Sequence, residues 1–169
     1  LEQAGLEPAA VDVETFAIER SLAELRRQLK VERDPAACVG LVDIGANINA
    51  FHVVRGGHIV YTRDTVFGGR QLTNAIRDRY DLSMEEAGFA KERGGLPDDY
   101  HERVLNPFLE TVVQQVGRSL QLYYTAVRQQ EVQHIVLAGG SSVIPGLAER
   151  IAEDIGMSVT IANPFQRMR

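Results

Sequence analysis

The sequence predicts an α/β domain, built as a five-stranded mixed sheet with helices on both faces and a helical insertion. Three apolar runs separated by tight turns, 38–44, 49–55 and 58–66, have the pattern of three consecutive antiparallel strands. Strand, helix and strand then alternate over 134–162, and these two strands are expected to join the sheet beside the first one. The intervening segment, 83–131, is predicted to be the helical insertion.

Composition places the chain among ordinary globular domains. It has 169 residues, 44% of them hydrophobic and 24% charged, which is enough for a sizeable core. A net charge of −5 gives no basis for nucleic-acid binding. Cys38 is the single cysteine, which excludes a disulfide scaffold. No apolar run approaches the roughly 18 residues that a membrane span needs.

The first 33 residues are predicted to form a connecting strand and helix, separate from the lobe that follows. Residues 11–13 alternate as a short strand, and 14–30 carry an apolar stripe at helical spacing. Arg33-Asp34-Pro35 ends that helix, so that 34–169 form one lobe. The chain starts at Leu1 without a methionine, and we expect it to be part of a longer protein that also has a first lobe.

Helices are predicted at 70–80, at 84–93, along a stripe from Leu105 to Val127, and at 145–155. One lobe of the ribonuclease-H-like fold has this same order of elements: three antiparallel strands, then helices, a strand, a helix and a last strand.

Local signals set two details of this order. Ser83 and Glu86 have capping-box spacing at the start of the second helix. The Gly56-Gly57 turn should pair Arg55 with His58, and His52 with Tyr61.

Two glycine turns follow buried strands and are the candidate functional features. The first strand ends at Asp43 and reverses through Gly45 and Ala46, which places a carboxylate at the sheet edge and exposes N–H groups that can cradle phosphate. The second turn, Gly139-Gly140, lets a flat ring or ribose lie against bare backbone before a helix N-terminus. Each alone is also a common architectural turn, whereas the pair in this order favours nucleotide binding.

The stretches LVDIGANINAFHVV and IVLAGGSSVIPGL resemble the second phosphate motif and the adenosine motif of the actin-like ATPase superfamily. Within it, VDVETFAIER, FGGRQLTNAI and ANPFQRM are most similar to the PilM family of type IV pilus assembly proteins, which is related to FtsA. The resemblance implies ATP and Mg²⁺ held between two lobes, and a scaffold at the cytoplasmic face of the inner membrane. It also implies binding of the cytoplasmic N-terminal tail of PilN, further pilus platform partners that link the protein to the membrane, and a possible oligomer.

The resemblance assigns a role to each candidate residue. Asp43 matches the acid that holds Mg²⁺ through water. The turn around the β- and γ-phosphates is matched by Gly45, Ala46 and Asn47. The adenosine turn is matched by Gly139, Gly140 and Ser141. Glu86 and Lys91 match a helical pair that contacts ribose and base. Glu14 falls where the superfamily orients the attacking water, although a carboxylate favoured by the helix dipole is an equal alternative.

Departures from the superfamily pattern favour a scaffold over a fast enzyme. Asn47 and Asn49 stand where threonines are usual, and Gly88 replaces an acid that contacts ribose. The complete protein is therefore expected to be at most a weak ATPase, and the chain alone no enzyme. A true ATPase or sugar kinase of the same fold, and a lobe that has lost nucleotide binding and acts as an interaction module, are the alternatives.

Overall fold

The computed structural model describes residues 2–14, 16–21, 37–127 and 131–163. The strands and helices of this part follow one another in the order β1 (Cys38–Ile44), β2 (Asn49–Arg55), β3 (His58–Thr65), α1 (Gly69–Tyr80), α2 (Met84–Arg93), α3 (Asn106–Ala126), β4 (Val132–Ala138), α4 (Leu147–Ile155) and β5 (Ser158–Ile161). A π-helical turn, His101–Leu105, leads directly into α3, where Pro107 occupies the first turn.

The five strands form one mixed sheet in the order β3-β2-β1-β4-β5. β2 and β3 run antiparallel to their neighbours, whereas β4 pairs parallel with β1 and β5 parallel with β4. β1 is central, and every residue in it except Asp43 is buried. The predicted α/β lobe, with the later strands added on the first strand's side, is confirmed.

One feature of the hairpin register was not predicted correctly. Arg55 does pair with His58, but His52 lies opposite Thr62 instead of Tyr61. The ladder shifts beside Val54, and Val60 on β3 is left without a partner in the register. A bulge of this kind adds one residue to one strand, which the two-residue turn alone does not reveal.

The sheet carries its main hydrophobic cluster on one face. α1, α2, α3 and α4 all contribute side chains to it, and its most fully buried members include Tyr123, Phe51, Ile44, Leu72, Ile76, Ile135, Leu137, Leu147 and Ile151. The segment predicted as a helical insertion is helical over 84–93 and 101–126, and its apolar side chains lie in this same cluster. Along the described chain, no helix combines the length and the apolar character needed to cross a membrane.

The opposite face has a smaller cluster of Val39, Leu41, Val54 and Val136. Ile18, from the helical segment at Glu14 and 16–21, packs against it. The described part of the chain therefore places helical residues on both faces. The remainder of the predicted helix, 22–30, lies outside the described residues.

One predicted strand and one predicted helix boundary were wrong. Residues 11–13 are irregular instead of a strand, since no strand of the described residues pairs with them, and Val11 is 95% exposed. The helix predicted from Pro145 begins at Leu147, because Gly146 adopts a left-handed conformation with φ of 79° just before it.

Val112→Ala tests whether α3 belongs to the same cooperative core as the sheet. Val112 is fully buried, and removing two methyl groups should lower the free energy of unfolding by about 2 kcal/mol. Val66→Ala is the matched control, because Val66 is 86% exposed. Calorimetry should record one transition that shifts only for Val112→Ala. A second, independent transition would mean that the helical segment folds as a separate unit.

Acid should destabilise the domain partly through His134. Burial lowers the pKa of His134 from its ordinary 6.5, and its buried Nε2 has no hydrogen-bond partner in the part of the chain that the structure describes. Below pH 6.5 the unfolded chain binds a proton that the folded chain does not, so stability falls as pH falls, by at most about 1.4 kcal/mol per pH unit. Urea unfolding at pH 7.5 and 5.5 should give a smaller difference for His134→Gln than for the wild type. Equal differences would contradict this assignment.

Candidate functional site

Three chain reversals meet at the edge of the sheet where β1 ends. The amide of Gly69, at the start of α1, donates to the Gly45 carbonyl at 2.9 Å, and that of Arg70 donates to Ala46 at 2.8 Å. From the other side, the Ser141 amide donates to the Ile44 carbonyl at 3.1 Å. The turn between β1 and β2, residues 45–48, is therefore tied to the start of α1 and to the turn that follows β4.

Glycine is required where these segments approach each other. A Cβ on Gly68 would lie 2.7 Å from the carbonyl oxygen of Ala46, and one on Gly139 would lie 2.6 Å from that of Ile44. Gly139 also has a φ of 81°, a conformation that other residues rarely adopt. The two predicted turns are thus packed against each other, and Gly139 has an architectural role behind the site.

The β1–β2 turn presents two unused backbone donors. Its first amide, on Gly45, donates across the turn to Ile48 at 3.0 Å. The next two amides, on Ala46 and Asn47, donate to no group in the described part of the chain. Consecutive free N–H groups of this kind form a concave site for an anion such as phosphate.

A cleft of about 700 Å³ opens on the helix side of this turn. Of the predicted site residues it brings together Gly45, Ala46, Lys91, Gly140 and Ser141. The other residues on its wall are Gly69, Arg70, Thr73, Met84, Glu92, Val143, Ile144 and Pro145. The mixture of bare backbone, apolar side chains and a few charged groups suits a ligand with a flat ring and polar substituents.

Glu86 does not line this cleft. Its carboxylate accepts the Ser83 amide at 2.8 Å, and the Ser83 hydroxyl accepts the Glu86 amide at 3.2 Å, which completes the predicted capping box. These bonds to Ser83 hold the pKa of Glu86 below its usual value. The acid of α2 on the cleft wall is Glu92, directly after Lys91, which the sequence reasoning missed.

A smaller cavity of about 370 Å³ lies on the other side of the β1–β2 turn. Glu14, Asp43 and Asn47 line it, together with the Gly45 and Ala46 backbone that it shares with the larger cleft. The structure therefore brings two of the three predicted acids, Glu14 and Asp43, to a single cavity. The turn is the wall between this cavity and the cleft.

Electrostatics in the smaller cavity favour a bound cation. Burial raises the pKa of Asp43, the charge of Glu14 raises it further, and His52 partly opposes both. No hydrogen bond to the Asp43 carboxylate is found among the described residues, so its oxygens are free to meet a ligand. A positive ion between Asp43 and Glu14 would relieve their mutual repulsion.

The donor set fits Mg²⁺ only with help from water and ligand oxygens. Within the described ranges, no three His, Cys, Asp or Glu side chains are grouped closely enough to hold a metal by themselves. Mg²⁺ commonly keeps several waters and takes one or two carboxylates together with phosphate oxygens. Asp43 beside the free turn amides matches that pattern.

The same cavity contains a polar group that the sequence did not indicate, formed by His52, Thr62 and Asp64. His52 Nδ1 lies 2.9 Å from the Thr62 hydroxyl, in a pairing that exists because of the bulge on β3. Burial lowers the pKa of His52, and the charge of Asp64 is the largest opposing influence. Thr73 was missed as well; its spacing of one helical turn from Gly69 indicates only that the two lie on the same face of α1.

The chain is similar in sequence and fold to several known proteins. The chain is 30% identical over 149 residues to the ethanolamine utilization protein EutJ of Escherichia coli K12, an alignment covering 88% of this chain and 46% of EutJ. Its fold matches a solved PilM-PilN type IV pilus biogenesis complex with a TM-score of 0.76 and 26% identity, over 98% of this chain and 46% of that one. It also matches MreB5 of Spiroplasma citri bound to AMPPNP with a TM-score of 0.60 and 18% identity, over 85% and 53% of the two chains.

The chain spans about half the length of these proteins, with the actin-like lobe as the shared part. The family model described as type IV pilus assembly protein PilM matches residues 1–169 throughout. The chain therefore belongs to the PilM family of type IV pilus assembly proteins.

Proposed function

We propose that residues 34–169 are the second lobe of a two-lobed, ATP-binding scaffold of the type IV pilus platform, and that 1–33 connect it to the first lobe. The observation that carries the proposal is the β1–β2 turn. It offers two free amides, has a free carboxylate on one side, and has a cleft of about 700 Å³ on the other. One turn can thereby serve a phosphate chain, its counter-ion and a nucleoside at once.

Each part of the ligand has a distinct partner in this proposal. The amides of Ala46 and Asn47 hold phosphate oxygens, in the way that consecutive backbone amides bind anions elsewhere. Gly140 and Ser141 form the floor for the adenosine, and Lys91 meets its ribose or base from the opposite wall. Asp43 orients the water shell of Mg²⁺, which when bound offsets the negative charge of the phosphates. Glu86 is expected to act here only if α2 shifts, because its carboxylate is engaged by Ser83.

The proposed scaffold turns over ATP slowly, if at all. Glu14 shares the cavity with Asp43 and is the candidate for orienting an attacking water. Asn47 and Asn49 stand where the superfamily commonly has hydroxyl side chains, and Asn49 is buried, with no hydrogen-bond partner for its Oδ1 among the described residues. An Asn side chain still offers two amide N–H donors to phosphate, but it lacks the hydroxyl that the superfamily commonly has there.

The proposed partners follow from the family. One matching structure is a PilM-PilN complex, which supports PilN as a partner of the two-lobed protein. The proposed contact is the cytoplasmic N-terminal tail of PilN. Other pilus platform proteins would hold it at the cytoplasmic face of the inner membrane. The solved neighbour bound to AMPPNP supports an adenine nucleotide as the ligand of this fold.

Asp43→Asn in the two-lobed protein should weaken Mg-ATP binding by about 100-fold or more. The substitution keeps the size of the side chain but removes the charge that faces the metal. It should leave the melting temperature unchanged or slightly higher, because Asp43 accepts no hydrogen bond in the described part and repels Glu14. Isothermal titration calorimetry and thermal melting of the same variant measure both effects.

Asp98→Asn is the matched control for Asp43→Asn, since Asp98 is an exposed aspartate away from both cavities. It should bind Mg-ATP like the wild type. A destabilised Asp43→Asn protein with normal Mg-ATP affinity would mean that the turn is architectural. The lobe would then be an interaction module without a nucleotide.

Residues 1–169 alone should bind Mg-ATP far more weakly than the two-lobed protein. Superfamily members clamp the nucleotide between two lobes, and each missing charge-assisted hydrogen bond costs about 1 kcal/mol or more, so the affinity should drop by roughly several powers of ten. Calorimetry on both proteins under the same conditions makes the comparison. Micromolar binding by residues 1–169 alone would contradict the two-lobed site.

A further inference from the structure

The lysine on the cleft wall is held by a buried threonine. Lys91 Nζ, on α2, donates to the Thr73 hydroxyl on α1 at 2.8 Å and lies 3.4 Å from the Gly69 carbonyl oxygen. The Thr73 hydroxyl in turn donates to that same carbonyl at 3.2 Å. Thr73 is only 6% exposed, so its hydroxyl is fixed in place by the surrounding structure.

This arrangement lowers the entropy that the Lys91 side chain would lose when a ligand binds. A free lysine side chain has about 2 kcal/mol of rotamer entropy, which a ligand would have to offset on binding. Here the ammonium is already ordered, and preorganised groups bind more tightly for that reason. An ammonium has three donors, and Thr73 and Gly69 account for two of them, which leaves one for an acceptor in the cleft.

The same contacts connect Lys91 to the phosphate side of the site. Gly69, whose carbonyl receives the ammonium, donates its amide to the Gly45 carbonyl in the β1–β2 turn at 2.9 Å. A continuous path of hydrogen bonds therefore runs from α2 through Thr73 and Gly69 to that turn. Both ends of the path lie on the wall of the large cleft.

We propose that Thr73 is the positioning residue for nucleotide binding in this lobe: its hydroxyl holds the Lys91 ammonium toward the cleft. The role rests on the proposed function and deepens it, because Thr73 acts on the ligand through Lys91. It also explains why a hydroxyl is needed at a buried position of α1, where a valine of equal shape would fill the same space.

A labelling experiment tests the link between the two residues without any nucleotide. The chain has two lysines, Lys91 and Lys30, so each can be followed by mass spectrometry after brief acetylation with an N-hydroxysuccinimide ester. Thr73→Val should raise the acetylation rate of Lys91 about threefold or more while that of Lys30 stays constant, because the ammonium loses its main acceptor. Thr73→Ser, which keeps the hydroxyl, should match the wild type. Equal Lys91 rates in all three proteins would overturn the proposal.

An affinity measurement tests the role in binding. In the two-lobed protein, Thr73→Val should weaken Mg-ATP binding about tenfold, and Thr73→Ser should restore it. Lys91→Met should weaken binding at least as much, and Thr73→Val combined with Lys91→Met should be no weaker than Lys91→Met alone. Additive losses would overturn the proposal, because Thr73 would then act independently of Lys91.

The two proposals fail in different ways. No Mg-ATP binding by the wild-type two-lobed protein would contradict the proposed function, and the role of Thr73 in binding would fall with it. Normal wild-type binding that Thr73→Val leaves unchanged would contradict the Thr73 proposal alone. Thermal melting of each variant without ligand identifies any loss of affinity that comes from unfolding, and Thr73→Ala provides a second variant if Thr73→Val does not fold.

Discussion

The site depends on hydrogen bonds that fix the backbone carbonyls at the end of the central strand. The carbonyls of Ile44, Gly45 and Ala46 each accept an amide from another segment, two of them from the first turn of α1. Because these carbonyls point into the protein, the following amides of the turn are left facing solvent and the cavities. The first amides of α1, usually available to an anion, are used up in this way. An anion at this edge of the sheet would therefore find its backbone donors in the β1–β2 turn and not in α1.

A second consequence is that groups preferring ions of opposite charge lie close together at this turn. Residues 45–46 face both the acidic cavity and the larger cleft, so groups of opposite preference lie within one turn of each other. The amides of Ala46 and Asn47 attract an anion, while Asp43 and Glu14, which share the smaller cavity with Asn47, favour a cation beside it. A metal ion bound together with phosphate would pair with both the carboxylates and the amides, whereas either ion alone would leave one of the two sets without a partner.

Sequence reasoning recovered what depends on local pattern. Alternating apolar runs, the Gly56-Gly57 turn and the capping box at Ser83 predicted the sheet order and most helices, because each signal lies within a few residues of the element it determines. It failed where the outcome depended on a partner distant in sequence. Residues 11–13 had strand alternation but no strand beside them, and the bulge at Val60 moved His52 to Thr62. The contact between Thr73 and Lys91 crosses two helices and could not be read from spacing alone.

The contacts that join the β1–β2 turn to α1 and α2 are relevant to the choice between a scaffold and a fast enzyme. Gly69 contacts the β1–β2 turn through its amide and Lys91 through its carbonyl, and a side chain on it would collide with Ser141. A ligand that displaced the turn would therefore have to move α1, and α2 with it, as one body. In the proposed scaffold, such coupling would carry a change in cleft occupancy from the turn to α1 and α2. Rapid hydrolysis needs in addition a well-placed proton acceptor and hydroxyl donors, and at Asn47 and Asn49 the chain carries amides in their place.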